Sequence, residues 1–218
     1  MKIGLISDIH ADLDGLEKAL KLLRGKNVDK ILCAGDLVDR GKDGNAVVER
    51  IHEENIPTVQ GNHDWMASFN QTYFKKYPER NVTATSLLSE KILQLLENLP
   101  RTLTFEFEER EILLAHGSPT AIDEYVHHTA TPTQFKHIFR EAKTSYIILG
   151  HTHIPMVIRM PKWGVIINPG STFQNFPSPA YPSLNGRSCA ILELPYGEVT
   201  HYDIMTGEIM PTIHSSIE

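Results

Sequence analysis

The chain has little cysteine and no surplus of positive charge. Its 218 residues include only two cysteines, Cys33 and Cys189, and neither belongs to a CxxC pair. A disulfide framework is therefore not expected, and a structural zinc site closed by thiolates is disfavoured. A formal net charge of −6, from 21 basic and 27 acidic residues, argues against a broad binding surface for polymeric nucleic acid.

Long apolar stretches are also missing. No run approaches the 18 apolar residues expected of a membrane-spanning helix. The first apolar residues, 2–7, lead directly to Asp8, which indicates a strand rather than a signal peptide. With 41% hydrophobic residues and no internal repeat, residues 1–218 are expected to form a single domain. Two cysteines without a disulfide framework, and a first apolar run that reads as a strand, favour a cytoplasmic location.

What the sequence does contain is five short polar blocks, each after an apolar, often β-branched run. Together they supply seven residues that suit metal binding: Asp8, His10, Asp36, Asn62, His116, His151 and His153. Asp-x-His and His-x-His are informative because side chains at i and i+2 of an extended backbone point to the same side. Carboxylate, amide and imidazole donors together suit Mn, Fe, Zn, Co or Ni better than Ca.

Each block taken alone has an ordinary structural explanation. Asp8 could cap a helix, Asp36 could belong to a turn, and a single histidine at a strand end is commonly a hydrogen-bonded core or surface residue. All five blocks, however, occur in order at the carboxyl ends of predicted strands, where α/β folds place their sites. Their combination favours a metal centre.

Predicted strands and helices alternate in the first half, and strands dominate the second half. Strands are predicted at 2–7, 30–34, 57–60, 104–107, 111–115, 146–149, 156–158, 165–168, 190–194 and 199–202. Helices are predicted after Asp12, around 47–51, from Ser89 to Pro100 and over 132–143, with 66–85 as a loop or short helices over the site. This pattern predicts two sheets packed face to face, with helices outside.

The blocks read D-x-H, GD-x-x-D-R-G, GNHD, HG and GHTH between residues 8 and 153. In this order they resemble the calcineurin-like metallophosphoesterase superfamily, and most of all its small bacterial and archaeal YfcE-like phosphoesterases. The similarity continues at residues 116–119 (HGSP), 168–171 (NPGS) and 202–203 (YD). The resemblance implies an α/β fold: a four-layer αββα sandwich of two mixed sheets, with a dinuclear metal site at strand carboxyl ends.

The resemblance also implies how the ligands divide between two divalent ions, with Mn expected first. One ion would be held by Asp8, His10, Asp36 and His153. The other would be held by Asp36, Asn62, His116 and His151. Asp36 would bridge the ions, and a hydroxide between them would attack phosphorus in line without a covalent enzyme intermediate.

His63, next to Asn62, is the candidate proton donor to the leaving oxygen, and its alternative role is loop support. The resemblance implies Asp39 as the carboxylate that orients it, with Asp64 as the backup. Arg40 could grip phosphate oxygens through two parallel hydrogen bonds, or form a surface ion pair. Six aromatic residues are candidates for a substrate wall or for ordinary packing: Trp65, Tyr73, Phe74, Tyr77, Phe173 and Phe176.

The leading functional prediction is a metal-dependent phosphoesterase, most of all a phosphodiesterase, acting on small phosphoesters. A Ser/Thr protein phosphatase is suggested by GDLVDRG, although GNHD stands where those enzymes have GNHE. A dinucleoside polyphosphate hydrolase and a non-catalytic binding scaffold on the same fold are further alternatives. No membrane partner is expected, polymeric nucleic acid is disfavoured, and a homo-oligomer is left open.

Overall fold

The computed structural model describes residues 1–80, 87–173 and 184–217. Its strands are β1 (Lys2–Ile6), β2 (Lys30–Cys33), β3 (Thr102–Phe107), β4 (Arg110–Ala115), β5 (Tyr146–Ile148), β6 (Met156–Met160), β7 (Gly164–Asn168), β8 (Ser188–Glu193), β9 (Glu198–Asp203) and β10 (Ile213–Ser216). Its α-helices are α1 (Leu13–Gly25), α2 (Gly44–Glu53), α3 (Asn62–Lys76), α4 (Glu90–Glu97) and α5 (Pro132–Ala142).

The strands form two mixed sheets. A four-stranded sheet has the order β2-β1-β8-β9, in which β1 runs parallel to β2 and antiparallel to β8. A six-stranded sheet has the order β10-β6-β7-β5-β4-β3, with β4, β5 and β7 parallel to one another at its centre. Parallel neighbours bring their carboxyl ends to the same edge of each sheet.

The two sheets pack face to face through one apolar core. Ile3 and Leu5 of β1 belong to the same buried cluster as Ile148 of β5 and Ile167 of β7. Ile6, on the other face of β1, belongs instead to the cluster under the helices. The near-continuous burial of β1 follows, because strands covered on both faces must be apolar on both faces.

Helices cover the outer face of each sheet. Leu16 and Leu20 of α1 pack with Ile92 of α4 against the four-stranded sheet. Phe135 of α5 packs with Ile147 against the six-stranded sheet. The layers are therefore helix, sheet, sheet and helix, and the predicted αββα sandwich is confirmed.

Two predicted helix starts agree with the structure. The Asp12 carboxylate accepts a hydrogen bond from Gly15 N at the start of α1, and the Ser89 hydroxyl accepts one from Ile92 N at the start of α4. Each side chain thus satisfies an amide that has no partner within its own helix. Within the described ranges, none of the helices has the length and apolarity needed to cross a membrane.

Three elements differ from prediction. The expected strand at 57–60 is reduced to one bridge between Cys33 and Thr58. The amide of Val59 donates to the carbonyl of Cys33, but the amide of Gly61, the next one on that side, donates to the Asp64 carboxylate instead of continuing the ladder. Residues 66–76 belong to the continuous helix α3. Several of its aromatic side chains are exposed, so the apolar residues of this segment show no helical period. Residues 81–86 lie outside the described residues. Strand β10, which was not predicted, pairs with β6 at the sheet edge.

Candidate metal centre

The predicted ligands lie where the two sheets end side by side. Asp8 follows β1 and Asp36 lies three residues past β2, whereas His116 follows β4 and His151 lies three residues past β5. The amide of His151 donates to Asp8 Oδ2 at 3.0 Å, and this hydrogen bond joins the two sheets. Both sheets therefore contribute ligands to one buried site.

The backbone at the ligands is left-handed rather than extended. φ is 52° at Asp8, 48° at His10, 56° at Asp36, 67° at His151 and 57° at His153. The expected extended geometry for Asp-x-His and His-x-His is therefore wrong. A left-handed residue other than glycine costs on the order of 1–3 kcal/mol and persists only where surrounding contacts fix it, which is typical of functional sites.

The first group of converging side chains comes from the loops after β1 and β5. His153 Nε2 lies 3.0 Å from His10 Nε2 and 3.1 Å from Asp8 Oδ1. All three side chains are buried, and their three donor atoms lie within 4.8 Å of one another. Two imidazoles and a carboxylate facing one point are a donor set suited to a transition-metal ion.

The second group lies beside the first. His116 Nε2 is 3.3 Å from Asp36 Oδ2 and 3.1 Å from Asn62 Oδ1. His151 completes a set with Asp36 and His116 whose donor atoms lie within 4.8 Å of one another. Asn62, the first residue of α3, is thus brought to the site by a helix start rather than by a strand.

Asp36 lies between the two groups. Its Oδ2 is 3.3 Å from His116 Nε2 and 3.8 Å from His10 Nε2. Its Oδ1 accepts a hydrogen bond from the amide of His63 at 2.9 Å. One carboxylate oxygen therefore faces histidines of both groups, while backbone contact holds the other.

Backbone carbonyls orient two of the imidazoles. His116 Nδ1 lies 2.6 Å from the carbonyl of Ala34, and His10 Nδ1 lies 3.4 Å from the carbonyl of Val38. A ring that donates from Nδ1 presents the lone pair of Nε2 to the centre of the site. These contacts fix the tautomer that metal binding needs.

The site fits cations on two further observations. His151 Nε2 is a buried atom without a hydrogen-bond partner in the part of the chain that the structure describes, and the buried Asp8 Oδ1 faces the Nε2 atoms of His10 and His153 at 4.0 Å and 3.1 Å. Burial alone would lower the pKa of His116, yet the charge and hydrogen bond of Asp36 raise that pKa to about 10. The buried carboxylates therefore create a field that favours positive charge, and the open donor atoms suit divalent ions.

His63 and Asp39 form the predicted pair. His63 Nδ1 lies 2.8 Å from Asp39 Oδ2, and the Asn70 amide donates to the same oxygen at 3.5 Å. Burial lowers the pKa of His63, but the Asp39 hydrogen bond and the Asp36 charge outweigh it and raise that pKa overall. A His63 nitrogen also lies within 4.8 Å of donor atoms of His10 and Asp36, so the ring borders the metal site.

Asp64 does not orient His63, and the backup prediction for it is wrong. Its carboxylate accepts hydrogen bonds from the amides of Asp36, Leu37 and Gly61 at 2.8–2.9 Å. Burial and the neighbouring Asp36 charge raise the pKa of Asp64 to about 6. Asp64 thus fixes the loop that carries Asp36, a role that sequence reasoning missed because its partners are backbone amides.

Two motif glycines allow the backbones to approach closely. A Cβ on Gly61 would lie 2.0 Å from Asp36 Oδ1. A Cβ on Gly150 would lie 2.1 Å from Ser7 Oγ and 2.9 Å from Asp8 Oδ2. A side chain at the first position of GNHD or GHTH would therefore collide with the carboxylate of Asp36 or Asp8, and only glycine fits there.

The candidate substrate-wall aromatics divide in the structure. The ring centre of Phe173 lies 5.8 Å from that of His10. Tyr125 was not among the predicted residues, but its ring centre lies 4.0 Å from that of His151. Trp65 and Tyr73 are exposed on α3. Tyr77 is also exposed at the end of α3, whereas Phe74 is half-buried, and Phe176 lies outside the described residues.

Residues 1–194 match the calcineurin-like phosphoesterase superfamily domain, and the chain belongs to that superfamily. The predicted family is thereby confirmed. A metallophosphoesterase from Sphaerobacter thermophilus has a similar structure, with a TM-score of 0.73 and 29% identity over 92% of this chain and 87% of that one.

Two curated relatives come from Methanocaldococcus jannaschii. The uncharacterized protein MJ0912 is 31% identical over 71% of this chain, and the match spans 63% of that protein's own length. Phosphodiesterase MJ0936 is 23% identical over 78% of this chain and 83% of its own length.

Metal should stabilise the fold. Each site that Mn²⁺ fills should raise the melting temperature by roughly 5–10 °C over chelator-treated protein. Binding at 100 times Kd contributes about 2.7 kcal/mol per site, and each kcal/mol shifts Tm by about 2–4 °C at this size. Calorimetry with and without Mn²⁺, at matched ionic strength, measures the shift. Superimposable melting curves would contradict a preformed site.

Proposed function

We propose that this protein hydrolyses small phosphoesters, diesters foremost, with two divalent cations as cofactors and Mn²⁺ as the first candidate. The observation that carries the proposal is the Asp36 carboxylate, whose Oδ2 faces both His10 and His116. Two cations held on either side of it would orient the phosphoryl group, acidify a water and stabilise charge on the entering and leaving oxygens. The name of the phosphodiesterase relative supports the diester preference.

The protein's own residues would divide the work around that centre. One cation would be held by Asp8, His10, Asp36 and His153, and the other by Asp36, Asn62, His116 and His151. Asp64 holds the Asp36 loop in place through backbone amides. The seven predicted ligands converge in one buried site, which supports catalysis over a purely structural use of the fold.

The proton for the leaving oxygen would come from His63. Asp39 accepts a hydrogen bond from one side of the ring, which leaves the other nitrogen to donate. Burial lowers the pKa of His63 and the hydrogen bond to Asp39 raises it, so the Asp39 contact favours the protonated ring that a general acid needs. His63 would thus serve as general acid, with Asp39 as its orienting residue.

The proposal is tested by rates on three substrates with added Mn²⁺: an aryl phosphate monoester, an aryl phosphodiester and a diadenosine polyphosphate. We expect the diester to be hydrolysed fastest. A higher rate on the diadenosine polyphosphate would assign the site to that class instead. Zero rates on all three, in protein shown by elemental analysis to hold metal, would favour the binding scaffold.

Arg40 is proposed to grip the phosphate. Its backbone amide donates to Asp39 Oδ1, and its positive charge is close enough to lower the pKa of His63. Because a guanidinium holds a doubly charged monoester more strongly than a singly charged diester, Arg40→Ala should reduce kcat/KM for monoesters by about 10-fold to 100-fold and for diesters by less. Arg40→Lys keeps the positive charge but cannot make two parallel hydrogen bonds, so its kcat/KM for monoesters should lie between those of the wild type and Arg40→Ala. Equal losses on both ester classes would return Arg40 to a structural role.

We also propose that residues 1–218 act as one domain in a cytoplasmic setting. The sheets share a single apolar core, and Cys33 and Cys189 are buried free thiols, as suits a reducing compartment. The mass of the protein in solution decides between a monomer and the homo-oligomer that the sequence leaves open.

A further inference from the structure

A cavity of about 310 Å³ lies beside the second group of proposed ligands. Its wall includes His116 of that group, Arg101 just before β3, and residues 118–123 of the loop after β4. Cavities that bind small molecules begin at about 300 Å³. This one therefore has room for a small substituent of a phosphoester.

The strand register brings Arg101 to this cavity. Thr102, the first residue of β3, pairs with Ala115, the last residue of β4. Arg101 and His116 are the next residues outward on these two antiparallel strands. Their backbones are therefore neighbours at the sheet edge where the proposed ligands lie.

The Arg101 side chain also contacts α3. Its guanidinium carbon lies 5.3 Å from the centre of the Trp65 ring, a distance typical of cation–π contacts. Trp65 lies one helical turn after Asn62, on the same face of α3. Within the described ranges Arg101 makes no ion pair and no hydrogen bond, so its charge is available to a ligand.

The loop after β4 forms a fixed part of the wall. A Cβ on Gly117 would lie 2.6 Å from the carbonyl oxygens of Ala121 and Ile122, so the loop closes tightly on itself. Ser118 Oγ accepts a hydrogen bond from the amide of Ala121 at 3.0 Å. Among the described residues of the wall, Asp123 is the only acidic one, and its side chain is exposed. The wall thus combines a preformed loop with one unpaired positive charge.

We propose that this cavity holds the ester substituent that stays on phosphorus, and that Arg101 selects substituents with a second anionic group, a carboxylate or a phosphate. The inference rests on the proposed function, in which the leaving oxygen lies at His63. That ring borders the first group of ligands, near His10 and Asp36. The cavity borders the second group, at His116. The substituent that does not leave can therefore enter the cavity, where a guanidinium can make two parallel hydrogen bonds to either anion.

The test varies the retained substituent and keeps nitrophenolate as the leaving group. Three nitrophenyl diesters are compared, with carboxyethyl, phosphonoethyl or carbamoylethyl as the second substituent; the last has nearly the shape of carboxyethyl without its charge. Wild type should prefer the two anionic diesters. Arg101→Gln should lower kcat/KM for them by about 5-fold to 10-fold, between the effects of an exposed ion pair and of a charge-assisted hydrogen bond, with little change for the amide. The anionic diester with the larger loss identifies the preferred anion.

Arg140→Gln is the matched control, because the Arg140 guanidinium carbon likewise lies 5.4 Å from a tryptophan ring, that of Trp163, but belongs to α5 and does not line the cavity. It should leave the ratio of anionic to neutral diester rates unchanged. Asp123→Asn, which removes a repelling charge, should raise kcat/KM for the anionic diesters by up to about 5-fold. Melting curves establish that each variant is folded. Equal losses on all three diesters in Arg101→Gln, or a wild type without the anionic preference, would overturn the proposal.

Binding of phosphonopropanoate distinguishes failure of the cavity from failure of the proposed function. This ligand carries a carboxyethyl group on a phosphorus that cannot be hydrolysed. Titration calorimetry on metal-loaded protein should show that wild type and Arg140→Gln bind it more tightly than phosphonopropanamide, and that Arg101→Gln loses most of this difference. If the wild type hydrolyses no ester, the proposed function fails, and this comparison still decides whether Arg101 selects an anion. Equal binding of the two ligands to the wild type would refute that selection.

Discussion

Asp36→Asn should nearly abolish phosphoester hydrolysis and lower metal occupancy at both positions. Asp36 Oδ2 faces His10 and His116, so this one carboxylate would serve both cations. Replacing residues that only support ligands typically costs about 10-fold to 100-fold in affinity or activity, and losing a shared charged ligand should cost more than about 100-fold. Elemental analysis and rates on an aryl phosphodiester measure the two effects.

Asp43→Asn provides the control for the Asp36 variant. The change removes the same charge at the start of α2, where the Asp43 side chain makes no cap hydrogen bond to the described helix. Metal content and rate should stay at the wild-type level. If Asp36→Asn itself retained two metals per chain and full activity, the proposed ligand assignment would be wrong.

The convergence of the ligands could be predicted from local sequence. Asp8 and Asp36 follow neighbouring parallel strands, and so do His116 and His151, each after an apolar run that reads as a buried strand. Parallel strands must end at the same edge, and the two sheets must bury their apolar faces against each other. Strand order and apolar pattern thus suffice to place these side chains together.

The backbone path at the ligands could not be predicted in the same way. Periodicity alone favours extended residues at Asp8 and His10, whereas the structure has both in the left-handed region. Contacts distant in sequence impose this conformation: Asp8 Oδ2 binds the amide of His151, and the amide of His10 binds the carbonyl of Asp36. Such contacts are absent from any local window of sequence.

The misassigned role of Asp64 and the missed helix α3 have related causes. A carboxylate beside His63 suggests an ion pair, but the buried Asp64 accepts from four backbone amides. Three belong to the distant loop 36–38, and the fourth is that of Gly61 at the start of its own helix. Helix α3 places large aromatic residues such as Phe69 in solvent, so its apolar residues do not mark its buried face. In both cases tertiary structure overrides the local pattern.

His63→Asn should keep both metals and lose most activity on alkyl esters, but much less on nitrophenyl esters. An alkoxide leaves poorly unless it is protonated in the transition state, whereas nitrophenolate departs as the anion. A general acid contributes on the order of 100-fold to 10,000-fold, and the alkyl substrates should lose an amount in that range. Rates on both leaving groups, together with metal analysis, test this difference.

The pH profile provides an independent measure of the same role. A proton donor acts in its protonated form, so wild-type activity on alkyl esters should fall as pH rises through the pKa of His63, which the Asp39 hydrogen bond raises against burial. That basic limb should disappear in His63→Asn and persist in His137→Asn, a surface histidine on α5 that serves as control. Equal losses on alkyl and nitrophenyl esters with intact metal content would instead mean that His63 positions the phosphate or its loop. The proton would then have to come from another group, because a proton donor must matter more for the alkoxide than for nitrophenolate.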